Sequence, residues 1–223
     1  MTLARRATIL PVLALASAST DVVSYLGLGH VFTANMTGNT ALLGIGIASA
    51  KTGAVLRSVC ALAGFVAGAA ASRLFARRRR ALASCLAAEV LPLAAWFGWW
   101  QAVGGPAHGS ARYGYIALAG VAMGLQSGAV TRLGVPGVTT VFITGTITAL
   151  TVGLTGRPHG GPLPQRKPSN HVLQGLIVVF FLAGALAGGY AFHYWGGTAA
   201  VVPLGIVAAA AAAAFARPPE EEA

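Results

Sequence analysis

The sequence predicts an all-α integral membrane fold of about six transmembrane helices plus two short re-entrant or broken helices, arranged as two inverted repeats. Three observations predict it. Hydrophobic residues make up 56% of the chain and charged residues only 9%, with a mean hydropathy of +0.71; a soluble domain carries about a quarter of its residues as charges. Apolar runs long enough to cross a bilayer recur along the 223 residues. Basic residues cluster at the ends of those runs, so the net charge of +10 reads as membrane orientation and argues against a nucleic-acid partner.

Arg5 and Arg6, an apolar stretch and Ala16-Ser17-Ala18 have the layout of a secretory signal with a small-residue cleavage site. The apolar run continues past Asp21 to Leu28, however, so 7–28 is taken as the first membrane helix. Segments 35–50, 53–76, 82–103, 113–133, 138–155, 171–194 and 198–216 follow. Between the last two pairs, 156–170 holds four prolines and three basic residues and is expected to be a surface loop. Cys60 and Cys85 lie in separate apolar runs, with neither a disulfide framework nor metal-ligand spacing.

The two halves resemble each other. Gly27, Val31, Thr33, Thr37 and Gly38 align at constant offset with Gly134, Val138, Thr140, Thr144 and Gly145. Phe65-Val66-Ala67-Gly68-Ala69 then matches Phe181-Leu182-Ala183-Gly184-Ala185, and Leu91-Pro92-Leu93 matches Val202-Pro203-Leu204. The ordered matches imply a duplicated unit. The chain divides into a first repeat at 1–111, a second at 112–216 and a solvated tail at 217–223.

Charge orients the units, because Lys and Arg near membrane-spanning ends prefer the cytoplasm. If all eight segments crossed with the N-terminus inside, Arg77 to Arg80 would lie outside; the flipped arrangement expels Arg5, Arg6, Arg157, Arg166 and Lys167 instead. If 35–50 and 138–155 enter and return, twelve of the 15 basic residues fall inside. Only Lys51, Arg57 and Arg112 remain outside. Each unit then has an odd number of crossings, so the second is inverted relative to the first, and both termini are cytoplasmic.

Two polar stretches interrupt the apolar chain. The first contains Thr33, Asn35, Thr37, Gly38 and Asn39; its counterpart contains Thr140, Thr144, Gly145 and Thr146. Each opens a short helix whose first N–H groups are unpaired and carry partial positive charge. Their hydroxyls and amides either cap those ends or present donors to a polar solute. Gln126 adds a buried polar group near the contact of the first and fifth segments. Asp21 and Glu89 are the only acids outside the tail. A charge at bilayer depth costs roughly 3 kcal/mol or more, which makes both candidate proton or ion relays. The plain alternatives are that Asp21 hydrogen-bonds another helix and that Glu89 snorkels or pairs with the arginines before it. Gly128 stands where the repeat would place a second Asp21. Arg132 is expected to be an interfacial anchor, Trp96, Trp99 and Trp100 an interfacial belt, and Gly64, Gly68, Gly184 and Gly188 close-packing faces.

Asp21, Val31-Phe32-Thr33-Ala34-Asn35-Met36-Thr37-Gly38-Asn39, Gly124-Leu125-Gln126 and Thr144-Gly145-Thr146 resemble the YoaK family of bacterial membrane proteins, classed as a domain of unknown function. The resemblance covers nearly the whole chain. It implies a bacterial inner-membrane protein with about six helices and implies no activity.

From the residues, the expected function is a transporter or channel for a small solute or ion, with a midplane site formed by the paired Thr-Gly helix starts. The alternative is a non-transporting membrane assembly or interaction protein, its basic loops binding a protein or anionic lipid. The sequence lacks zinc-protease, nucleophile-elbow and phosphate-loop patterns. No enzyme activity, cofactor or metal is expected. The partners are the lipid bilayer and the solute, and Gly-rich helix faces permit a homo-oligomer.

Overall fold

The computed structural model describes residues 3–104, 109–135, 137–141, 143–155 and 171–216, with backbone alone for residues 3–7. The expected loop at 156–170 and the tail lie outside the described residues. Those described form eight α-helices and no strand. They are α1 (Leu3–Gly27), α2 (Met36–Ala48), α3 (Thr52–Ala71), α4 (Ala81–Val103), α5 (Ala111–Arg132), α6 (Thr144–Thr155), α7 (His171–Trp195) and α8 (Val201–Ala216).

Length separates two kinds of helix. At about 1.5 Å per residue, a span of ~30 Å needs about 20 residues. Helices α1, α3, α4, α5 and α7 have 20 to 25, and α8 gains length from the 3-10 turn Gly196–Ala200 before it. Helices α2 and α6, at 13 and 12 residues, are too short. The structure also corrects one expected boundary: α6 starts at Thr144, not at 138, because Val138 to Val141 run as irregular backbone anchored by side chains.

Each break has a local cause. Helix α1 ends where the His30 N–H reaches the Tyr25 carbonyl at 2.9 Å, with Gly29 and His30 at φ 89° and 62°. That six-to-one bond is the usual way to close a helix with left-handed backbone. The Lys51 N–H closes α2 the same way on Gly46, at 2.8 Å, with Ala50 at φ 53°.

Close approach of backbones holds the bundle together. A Cβ on Gly64 or Gly68 would overlap the backbone of Ala117 or Val121, and one on Gly184 or Gly188 that of Leu15 or Ser19. The expected small-residue faces are therefore used: α3 packs along α5, and α7 along α1, with chains parallel in each pair. Without a hydrophobic force between helices in lipid, such dispersion contacts do much of the binding. Helix α4 also packs on α5, α8 on α1, and α4 on α8, whereas α2 packs on α3 and α6 on α7.

Two apolar clusters mark the two ends of the bundle. One joins Ile9 and Leu10 of α1, Leu86 of α4, Val130 of α5, Leu173 of α7 and Ala214 of α8. The other joins Val23, Trp100, Ile116, Ala191 and Ala199. Helices α1 and α5 thus run antiparallel. So do α4 and α8, where Arg80 donates to the Phe215 carbonyl at 2.6 Å. The continuous apolar stretch His171–Ala216 is likewise a hairpin. Eight full crossings would make α1 and α5 parallel, and α4 and α8 too; six crossings with α2 and α6 turned back satisfy every pairing.

The aromatic belt needs correction. Trp96 and Trp100 are 0% and 1% exposed, inside the second cluster, and of these three α4 tryptophans Trp99 alone is exposed. Their spacing along α4 turns both toward the bundle, whereas a belt residue must face the lipid boundary.

Candidate functional site

The first polar stretch is organised by Asp21. Its Oδ1 accepts the N–H groups of Thr33 at 2.8 Å and Ala34 at 2.6 Å, and its Oδ2 accepts that of Asn35 at 3.1 Å. A carboxylate from within α1 thereby satisfies the backbone that lies between α1 and α2. Below it, the Ser24 and Thr33 hydroxyls share a hydrogen bond at 3.2 Å. Asn35 caps α2 by accepting the Gly38 N–H at 3.0 Å. Asn39 holds both sides of one residue: its Oδ1 accepts from Phe32 N–H at 3.0 Å and its Nδ2 donates to Phe32 carbonyl at 2.6 Å.

The second stretch repeats this with smaller groups. Thr146, aligned with Asn39, accepts the Thr139 N–H at 3.2 Å and donates to the Thr139 carbonyl at 3.4 Å; Thr139 aligns with Phe32. Gly128 provides no carboxylate. Instead Gln126 donates through Nε2 to the Thr140 hydroxyl at 3.2 Å and to the Leu13 carbonyl of α1 at 3.0 Å, as its expected position near α1 requires. Thr33, Asn35, Asn39, Thr140 and Thr146 are thus engaged with protein backbone or side chains. Thr37, Thr144 and Gly145 are exposed at the helix starts, and Gly38 is half-buried against Phe32 and Asn35.

The other acid is placed differently. Glu89 is 0% exposed near the middle of α4, and neither carboxyl oxygen has a protein hydrogen-bond partner. The expected snorkelling is not seen. Nor does it pair with Arg77 to Arg80, which are exposed in the connection before α4. One turn earlier, Cys85 donates through Sγ to the Leu125 carbonyl at 3.4 Å. Arg132 donates through Nη1 to the Ser72 hydroxyl at 2.8 Å and approaches Cys85 Sγ at 3.9 Å. It ties α5 to the 3-10 turn after α3 and to α4, more than an anchor at the interface would.

These contacts set the depth of three polar groups. Glu89 lies one turn beyond Cys85 toward the tryptophan end, and Ser17 one turn beyond Leu13 in the same direction. Gln126 Oε1 and Ser17 Oγ are buried without protein partners, like the Glu89 oxygens. All three residues fall within about one helical turn of one another in depth, ~5 Å. Ser17 was not singled out from the sequence, where a serine in a small-residue helix carries no signal. Its complete burial without a hydrogen-bond partner is a tertiary fact.

Six crossings, two half-length helices and buried polar groups at mid-depth define a polytopic membrane protein with a polar interior. The family model described as "Protein of unknown function (DUF1275)" matches residues 9–213, and the chain belongs to that family. It is 33% identical over 191 residues to the UPF0700 transmembrane protein YoaK of Bacillus subtilis (strain 168), with 82% of each chain covered. No solved structure matches it.

Proposed function

We propose that this protein is a proton-coupled transporter of a small solute in a bacterial cytoplasmic membrane, built from two inverted three-crossing units with both termini cytoplasmic. Glu89 is the proton carrier. The carrying observation is its carboxyl, wholly buried at mid-span without a protein partner. An ionisable group at such depth is costly and marks a functional position by default. Gln126 of α5 and Ser17 of α1, with unpartnered oxygens at similar depth, are read as the other members of a polar layer at that level.

The contact pattern supports the inverted repeat. Under the alignment, α3 on α5 corresponds to α7 on α1, α2 on α3 to α6 on α7, and α4 on α5 to α8 on α1. The matched brackets of Asn39 on Phe32 and Thr146 on Thr139 support it at the level of single hydrogen bonds. In this reading the Thr-Gly stretches wall the midplane and hold the broken backbone in place. Asp21 is a positioning residue and not the relay. Thr37, Thr144 and Gly145, at the exposed helix starts, remain available to a solute entering from either side.

The test is proton movement into proteoliposomes that contain a pH-sensitive dye, under an imposed gradient and with a panel of small anions, cations and neutral solutes. Wild type is expected to show solute-dependent flux above protein-free vesicles, and Glu89→Gln to abolish it while keeping its unfolding midpoint. Flux unchanged in Glu89→Gln removes Glu89 from the mechanism. If no solute elicits wild-type flux, the transport reading fails. The reading of a membrane interaction protein then gains, favoured by the exposed Arg77 to Arg80.

A further inference from the structure

A carboxyl that carries protons must meet water at some point in its cycle, and Glu89 is 0% exposed with neither oxygen bonded to protein. In α4 it stands much closer to Ala81 than to Val103, about 12 Å from the first and about 21 Å from the second along the axis. The nearer end is the cytoplasmic one in the proposed orientation. On that side the residue one turn before it, on the same helix face, is Cys85. Cys85 is also 0% exposed, packed with Leu125, Ala129, Phe75 and Leu82, and its Sγ donates to the Leu125 carbonyl at 3.4 Å. Arg132 reaches it from α5, with Nη2 at 3.9 Å from Cys85 Sγ and Nη1 donating to the Ser72 hydroxyl at 2.8 Å. The arginine itself is exposed. Its side chain therefore runs from solvent to the buried thiol one turn short of Glu89.

The repeat supplies an independent observation. At the offsets that align the two units, Tyr25 is the counterpart of Arg132, Gly188 of Ser72, Gly196 of Cys85 and Ala200 of Glu89. Tyr25 stacks on Phe32, with ring centroids 4.9 Å apart, and the other three counterparts are glycine or alanine. The connection from Arg132 to Glu89 thus stands in one half of a frame whose other half packs without it. Gly128 makes room for it. One turn before Arg132 on α5, a Cβ there would overlap the Ser72 hydroxyl. Where the first unit has the Asp21 carboxylate, the second admits a serine that holds the arginine.

We infer that Arg132 is the cytoplasmic gate of Glu89. Held on Ser72 and Cys85, its guanidinium closes the shorter approach to the carboxyl; released, it opens that approach past the Cys85 thiol. Both groups that hold it are neutral, and hydrogen bonds to neutral acceptors are weaker than those to charged ones. The latch is therefore one that can open. Arg132 is a positioning residue here, acting through access and not through contact with the solute. Its role in a proton cycle rests on the transport reading, whereas its closure over Cys85 stands without it.

The experiment uses the full chain in oriented vesicles, with Cys60→Ala leaving Cys85 as its one thiol. A small impermeant methanethiosulfonate is added from each side, and the rate of Cys85 modification is read by mass. With Arg132 in place the thiol is expected to react slowly from both sides. Arg132→Gln raises the cytoplasmic rate about tenfold or more, by exposing the thiol, and leaves the periplasmic rate unchanged. Arg132→Lys brings the rate back toward that of the arginine. Arg80→Gln, which loses the bond to the Phe215 carbonyl at the same end, leaves it unchanged. A cation beside a thiol generally speeds its reaction, so a rate that rises when the cation is removed reports access. A thiol that already reacts fast beside Arg132, no rise in Arg132→Gln, or an equal rise from both sides overturns the gate. A water-soluble carbodiimide with a small amine then reads the carboxyl. Glu89 is expected to be modified from the cytoplasmic side in Arg132→Gln and not in wild type; an exposed thiol with an unmodified Glu89 overturns the route. Should Arg132→Gln fail to fold, Ser72→Ala, which removes one of the two holding groups, is judged by the same criteria. None of these readouts needs a solute, so a protein that moves no protons loses the transport reading while labelling still decides the closure.

Discussion

Asp21 accepts three backbone N–H groups that have no helix to satisfy them. Removing the acceptor leaves buried donors unpaired, at about 1–3 kcal/mol for each group. Asp21→Ala is therefore expected to destabilise the fold by roughly 3 kcal/mol or more, read as a lower unfolding midpoint in detergent. Asp21→Asn retains one acceptor oxygen and should lose less. Asn39→Ala should be the costlier of the two bracket substitutions, because the Asn39 bonds to Phe32, at 3.0 and 2.6 Å, are shorter than those of Thr146 to Thr139, at 3.2 and 3.4 Å. The same unfolding measurement on Thr146→Ala checks that order. At this scale the sequence showed where the polar groups were but not what they did. Asp21 and Thr33 are close in the chain only by way of a left-handed turn, and no spacing rule predicts that the carboxylate meets amides and not a solute.

Helices were more legible than their faces. An apolar run of about 20 residues announces a span, and Gly, Asn or a basic cluster announces its end, so the segment boundaries of α1, α4, α5 and α7 follow closely from the sequence. Which side faces protein does not follow, because lipid and protein interior are equally apolar to a Trp or a Leu. Trp96 and Trp100 were misplaced for that reason. Glycines give a direct test of the faces. A Cβ on Gly124 would overlap the Phe65 carbonyl oxygen, whereas nothing lies within 4 Å of one on Gly98. Gly124→Val should destabilise by about 3 kcal/mol through overpacking. Gly98→Ala should be neutral or add up to about 1 kcal/mol, from helix propensity. Equal midpoints for the two variants would contradict the α3–α5 contact.

The molecule as a whole makes one prediction about sidedness. In the proposed arrangement of two inverted units, the starts of α2 and α6 face opposite sides of the membrane. With Cys60 and Cys85 replaced by alanine, Thr37→Cys should react with an impermeant thiol reagent from the periplasmic side of oriented vesicles. Thr144→Cys should react from the cytoplasmic side. Labelling of both from one side would break the inversion, and with it the assignment of Arg57 and Arg112 to the outer face.

Residue order and hydropathy alone establish a membrane protein, roughly where its helices begin and end, and two similar polar stretches at a constant offset. Hydropathy is a property of residues against solvent, and a repeat is a property of order, so both survive without coordinates. Helix packing, and nothing in the residue order, established that α1 and α5 run antiparallel, which tells six crossings from eight. It also decided that Asp21 meets backbone amides while Glu89 meets no protein partner, and that Arg132 reaches both Ser72 and Cys85. Those outcomes depend on which helix faces pack together, and in a chain so rich in Ala, Gly and Leu many faces are nearly equivalent until the close contacts at Gly64, Gly68, Gly184 and Gly188 select among them.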